Sequence, residues 1–184
     1  QQLIYCIITL ILGNLSTFCF AQNFEWLKTY GTQTQTSQSF VFGICSKLDG
    51  GCTILVNLYS NNNVPDTIYF DTTRYYKPPK LSLRQSFLIE KDSTGAVINT
   101  ALIGSFNAQN LCMDDDGNYY VIGHLTGVDS VGSELLDSAN GAFIITKFDN
   151  SFKFIWAKQF GNSKTEGNLI KYTDDRLLFL ATCI

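Results

Sequence analysis

The sequence predicts an all-β fold assembled from repeated four-stranded units, and three observations carry that expectation. A short pattern recurs far apart in the chain: Phe24-Glu25-Trp26-Leu27-Lys28-Thr29-Tyr30-Gly31 and Phe154-Ile155-Trp156-Ala157-Lys158-Gln159-Phe160-Gly161 share Φ-x-Trp-x-Lys-x-aromatic-Gly in register. Self-similarity of this kind marks a repeat architecture. Asp- and Gly-rich turns stand between apolar runs, as hairpins require. Aromatic residues reach 14% and charged residues only 16%, a composition that suits packed strands. The net charge of −3 gives no basic footprint for nucleic acid.

The first stretch, residues 1–21, differs in kind. Leu3 to Ala21 holds no charged residue, and Leu3-Ile4-Tyr5-Cys6-Ile7-Ile8-Thr9-Leu10-Ile11-Leu12 is nearly all apolar. Polar Asn14, Ser16 and Thr17 follow, and Cys19 and Ala21 supply the small residues of a peptidase site. The segment reads as an export signal, with an N-terminal membrane anchor over residues 3–21 as the alternative. Secretion or display at the cell surface is therefore expected. Outside it remain Cys45, Cys52, Cys112 and Cys183, which read as small buried thiols in strands. A diagonal Cys45–Cys52 bridge across one hairpin is the other reading.

Residues 22–184 are expected to form the repeat domain. After Gly31 comes a short strand, the turn Asp49-Gly50-Gly51 and the apolar strand Cys52-Thr53-Ile54-Leu55-Val56. Residues 60–85 then form a long insertion, read as a surface loop with a short strand at Thr67-Ile68-Tyr69-Phe70. Phe87-Leu88-Ile89-Glu90-Lys91 leads through a turn into Val97-Ile98-Asn99-Thr100-Ala101-Leu102-Ile103-Gly104, a worn copy of the Trp strand. The second round runs through Asp115-Asp116-Gly117-Asn118, Tyr119-Tyr120-Val121-Ile122-Gly123 and Phe143-Ile144-Ile145-Thr146-Lys147 to the second Trp copy. Phe152, Phe154, Trp156, Lys158 and Phe160 are expected on one face by alternation. A third round begins with Thr173-Asp174-Asp175-Arg176 before Leu177-Leu178-Phe179-Leu180-Ala181.

Strands apolar on both faces, such as Tyr119-Tyr120-Val121-Ile122, are expected to be covered on both sides. Four antiparallel strands in sequence, repeated and sandwiched between neighbours, are the blades of a β-propeller. The chain offers two and a half to three such blades, an incomplete propeller. Because closure needs at least four, the sequence is expected to be part of a longer one.

The combination Trp-x-Lys-x-aromatic-Gly, Asp-x-x-Gly-Asn-Tyr-x-Val-x-Gly and Gly-x-Phe-Ile-x-x-Lys-x-Asp resembles the SBBP-type β-propeller repeats of secreted bacterial proteins. The resemblance covers Asn23 to Ile184. It implies an extracellular scaffold with no defined activity of its own.

Candidate chemistry is sparse. Asp114, Asp115 and Asp116 form a weak calcium candidate, against which a plain hairpin turn is the simpler reading. His124, the single histidine, lacks a nucleophile-elbow motif anywhere in the chain to serve. Lys28 and Lys158 recur beside Trp26 and Trp156, and with Gly31 and Gly161 they read as structural repeat positions. Arg74, Tyr75, Tyr76 and Lys77, in the insertion, form the candidate binding loop, since Arg and Tyr are favoured at recognition surfaces. No cofactor motif is present. The expectation is an exported, non-catalytic module for recognition, adhesion or scaffolding, with a protein or glycan ligand. The alternative is the propeller part of a secreted glycan- or peptide-degrading enzyme whose catalytic residues lie elsewhere.

Overall fold

The computed structural model describes residues 30–32, 38–59, 66–70, 73–77, 84–161, 165–173 and 176–183. Residues 1–21, read above as an export signal, and Trp26 and Lys28 lie outside the described residues. Those described form strands and turns only, with no helix. In chain order the strands are β1 Tyr30–Thr32, β2 Gln38–Ser46, β3 Cys52–Tyr59, β4 Asp66–Phe70, β5 Thr73–Lys77, β6 Arg84–Lys91, β7 Val97–Gly104, β8 Asn107–Met113, β9 Tyr119–Val131, β10 Glu134–Phe148, β11 Phe154–Phe160, β12 Thr165–Thr173 and β13 Arg176–Cys183. All pairings are antiparallel.

Two complete four-stranded meanders emerge: β2-β3-β6-β7 and β8-β9-β10-β11. A single pair, Gly104 with Val131, links the end of β7 to the far end of β9. The hairpin β12–β13 repeats the first half of the unit.

Turns and bulges fix the frame of each unit. In the turns beginning at Lys47, Asp92, Asp114 and Asp149, the first residue exchanges backbone hydrogen bonds with the fourth and fifth residues. The fourth residue takes positive φ, at Gly50, Gly95, Gly117 and, against steric preference, Phe152 (φ 64°). Glycine meets that demand without cost from a Cβ. In three of the turns the first residue is Asp, and its Oδ1 also accepts backbone N–H groups, from Thr94 and Ala96, from Asn118, and from Ser151 and Lys153. This is why Asp recurs there.

Each first strand carries one extra residue before its turn: Phe42 in β2, Gln109 in β8 and Asn168 in β12. Each described fourth strand carries another just after its turn, Ile98 in β7 and Ile155 in β11, and β7 has a second at Ile103. A bulge swings the following side chains to the opposite face. Phe154 therefore packs with the cluster around Leu55 and Tyr119, whereas Trp156 packs with the cluster around Tyr120 and Phe143. The expected common face of Phe152, Phe154 and Trp156 is corrected by that one inserted residue.

Counting from the turns also corrects the alignment of the third strands. Phe87 faces the cluster of Ile54 and Val56, away from the second unit, while Phe143 faces the third. By turn position Phe87 answers to Ile144, and Glu90 to Lys147.

The units stack face to face. Leu55 and Leu88 of the first unit meet Phe106, Ala108, Tyr119, Val121, Ile144 and Phe152 of the second. The other face of the second unit, with Ile122, Phe143 and Ile145, meets Ile170, Tyr172 and Leu177. Each fully buried side chain of this size contributes roughly 1.5–3 kcal/mol, so the joints dominate stability. Asn57 ties the first joint at one end: its Nδ2 donates to the Ala108 carbonyl (2.7 Å) and to Asn107 Oδ1 (3.1 Å). The Tyr59 hydroxyl donates to the same Asn107 oxygen at 2.7 Å.

Within the insertion 60–85 the described residues include the hairpin β4–β5, and β4 pairs with β1, Gly31 opposite Tyr69. Ile68 and Phe70 are buried against the first unit, with the Phe70 ring 5.3 Å from that of Phe87. Apolar alternation in β4 thus serves as cover for that flank. Cys45, Cys52 and Cys112 carry free thiols. Cys45 packs toward the second unit and Cys52 toward β4, so a bridge between them would have to pass through the sheet.

Candidate functional site

The turns of the first two units lie side by side and enclose an open cleft of about 350 Å³, lined by Lys47, Leu48, Asp49, Met113, Asp115, Asp116, Gly117, Tyr119 and Asn150. Its position follows from stacking: equivalent turns meet at the same end of the molecule. Three carboxylates, of Asp49, Asp115 and Asp116, rim an apolar floor of Met113 and Tyr119.

The structure separates the three aspartates that the sequence groups. Asp114 is buried, and its carboxylate is fully engaged. It accepts hydrogen bonds from the Asn118 backbone (2.7 Å), Asn118 Nδ2 (2.9 Å) and the Tyr120 hydroxyl (3.2 Å), and pairs with Lys147 Nζ at 3.3 Å. Burial works to raise the Asp114 pKa, but Asn118 and Lys147 outweigh it and hold it below the ordinary value. Lys147 also lies 4.8 Å from the Tyr120 ring centroid. Its pKa is raised, first by the Tyr120 hydroxyl and then by Asp114. Asp115 and Asp116 are exposed and line the cleft. Among the described residues no three His, Cys, Asp or Glu side chains converge closely enough to hold a metal ion.

Behind the other wall stands a pair the sequence did not single out. Lys47 makes a close ion pair with Glu90 and lies 3.9 Å from Asp49 Oδ2. The Glu90 carboxylate raises the Lys47 pKa. Lys47 and Asp114 hold the same turn position, and Glu90 and Lys147 the same strand position. The signal available was the common offset from the Asp/Gly turns.

Burial raises the Cys45 thiol to about 11 and the Cys112 thiol to about 12. Both stay protonated at neutral pH and are poor nucleophiles. His124, on β9, pairs in register with Asn107 and Phe143, and its Nε2 is buried without a hydrogen-bond partner. Among the described residues no hydrogen bond joins it to a serine or a carboxylate.

The remaining sequence candidates spread over other surfaces. Lys158 Nζ lies 5.4 Å from the Trp156 ring centroid, and that ring packs 6.1 Å from Tyr120. Gly161, with φ 66°, follows β11. Arg74 is exposed at the start of β5 with its guanidinium 5.7 Å from the Tyr69 ring centroid. Tyr75, Tyr76 and Lys77 continue along that strand.

Comparison of the sequence with protein-family models and with curated proteins gives no match.

Proposed function

We propose that the chain is an exported, non-catalytic recognition or scaffolding module built from blades of the β-propeller type. One observation carries this reading: the repeated unit keeps its bulges and turns while each copy stacks on the next. First strands then run close together, as inner strands do around a propeller axis. A Cβ on Gly43 of β2 would sit 2.9 Å from the Leu111 Cβ of β8. Export is supported by the apolar segment 3–21 and the small residues Cys19 and Ala21.

The reading places ligand contact on the exposed ends of the stack. A protein or glycan ligand would meet Arg74 and its neighbours on β5, on a hairpin held firm by buried Ile68 and Phe70. Rigid presentation lowers the ordering cost of binding. Deleting residues 61–85 would strip that cover, so a point change is the better probe. The chain and its Arg74→Ala variant are applied to glycan and protein arrays, and the same ligands are assayed for cleavage. Binding without turnover, weakened by Arg74→Ala, is expected. Turnover of any glycan or peptide by the chain would overturn the non-catalytic assignment.

A further inference from the structure

The cleft between the first two units joins two kinds of surface that a single turn does not supply. Its floor, Met113 and Tyr119, is apolar, and its rim carries the carboxylates of Asp49, Asp115 and Asp116. Lys47, the cation on the wall, is already held by Glu90. Asp49 gives Oδ1 to the Gly51 N–H at 2.9 Å, and its Oδ2 stands 3.9 Å from Lys47. Asp115 and Asp116 are exposed, and among the described residues neither side chain enters an ion pair. The rim thus carries negative charge that its surroundings leave unbalanced.

A second observation, independent of those charges, concerns Leu48. The four turns carry Leu48, Ser93, Asp115 and Asn150 at the same second position. Three are polar, as turn residues usually are. Leu48 alone is apolar, and it is fully exposed at the mouth of the cleft. Apolar surface held in water gains when something covers it.

We propose that the cleft is a docking groove for a lysine or arginine side chain on a segment of a partner protein. Such side chains lay an aliphatic stem on apolar surface and keep the charged head among polar groups. The cleft presents its surfaces in that order: stem on Met113 and Tyr119, head toward the carboxylates. Its volume of about 350 Å³ lies near the lower end of ligand pockets, roughly 300–1,000 Å³, and suits a side chain rather than a folded element. The carboxylates do not converge as a metal site requires; spread acceptors suit a head with several N–H donors. Leu48 gives apolar contact to the next residue of the partner's chain, which a free amine lacks. Both turns are closed by backbone hydrogen bonds, so the groove is shaped before its occupant arrives and the ordering cost is small. The proposal needs only the joint between the first two units, and stands apart from export, ring closure and the Arg74 surface.

The probe is the peptide acetyl-Gly-Lys-Leu-Gly-amide, titrated into the isotope-labelled full chain and followed by NMR. Saturable shifts confined to Leu48, Met113, Gly117 and Asn150 are expected. Norleucine in place of the peptide's lysine keeps the stem but removes the ammonium, and should weaken binding by about tenfold or more. Asp115→Asn combined with Asp116→Asn should do the same, and Leu48→Asn, which copies Asn150, should cost about threefold. All three side chains are exposed, so the thermal melts of these variants should match that of the native chain. Absence of saturable shifts, shifts spread over other exposed carboxylates such as Asp92, equal binding of the norleucine peptide, or undiminished affinity of either variant would each overturn the proposal. So would n-butylammonium binding as tightly as the peptide, which would assign the cleft to a free amine, or displacement of the peptide by micromolar calcium, which would assign it to a metal.

Discussion

In the first unit Lys47, at the head of a turn, reaches Glu90 on the third strand; in the second unit Asp114, at the same head, reaches Lys147 at the same strand position. The backbone frame is shared, down to one inserted residue in the first strand and one in the fourth strand next to its turn, Ile98 or Ile155. The charges are reversed. What the frame demands is a complementary pair across the second strand, and either orientation satisfies it. Local chemistry fills the gap between partners differently: Tyr120 lies under Lys147 and donates to Asp114, while Thr53 at the equivalent place donates to Tyr119 at 2.8 Å.

The largest difference between units should appear where burial differs most. Leu55→Ala opens a void in the joint and is expected to cost about 3–5 kcal/mol, as Ile122→Ala should. Leu180→Ala, at the exposed copy of the position, should change stability by less than about 0.5 kcal/mol. Denaturant titration of the three variants reads this directly, and equal losses would break the equivalence.

Charge reversal offers the next test. Glu90→Lys sets two ammonium groups together in a half-buried place and is expected to cost about 2–3 kcal/mol. Adding Lys47→Asp should recover most of it, because the first unit then carries the second unit's arrangement. A double variant no more stable than Glu90→Lys would show that the pair is not interchangeable.

Phe152 stands where the other turns use glycine. Phe152→Gly relieves roughly 1 kcal/mol of backbone strain but forfeits the ring packed 5.2 Å from Tyr119. A net loss of about 2 kcal/mol is expected, since truncating a buried Phe costs about 3–5 kcal/mol. Stabilisation on thermal melting would show that strain outweighs packing.

The smallest effect concerns acid. A folded-state carboxyl pKa held below its unfolded value contributes stability above the unfolded pKa and loses it as pH falls through the folded one. Asp114 behaves this way, so its share, about 1–2 kcal/mol, should vanish at a pH below its ordinary value of 3.8. Asp114→Asn should therefore be less stable at neutral pH yet have a shallower acid limb. Parallel limbs for variant and native chain would remove Asp114 from that role.

Much of the frame was readable because turns and apolar runs are local. Asp with Gly three residues later states a turn in four letters, and Phe87-Leu88-Ile89 states a strand buried on both faces. The register was less readable, because a bulge changes face without changing composition: nothing in Phe154-Ile155-Trp156 announces that Ile155 is surplus. Aligning on Phe-Ile-x-x-Lys misled for the same reason, since the lysines at 91 and 147 look alike but hold different turn offsets. Ile68 and Phe70 were visible as a short strand, whereas their burial depends on a partner surface distant in sequence. The cleft was only half visible: Asp115 and Asp116 stood out, but Asp49 and Asn150 join them solely through stacking. Lys47 and Glu90 stayed hidden because the matching pair has its signs exchanged.

The hairpin β4–β5 has a consequence for how the first unit opens. It is inserted between the second and third strands of the very unit that it covers, and its Ile68 and Phe70 pack on Ile54, Val56 and Phe87. Lifting it would wet that apolar wall at once. Roof and wall therefore melt together, and the long insertion is stitched into the cooperativity of the sheet beneath it.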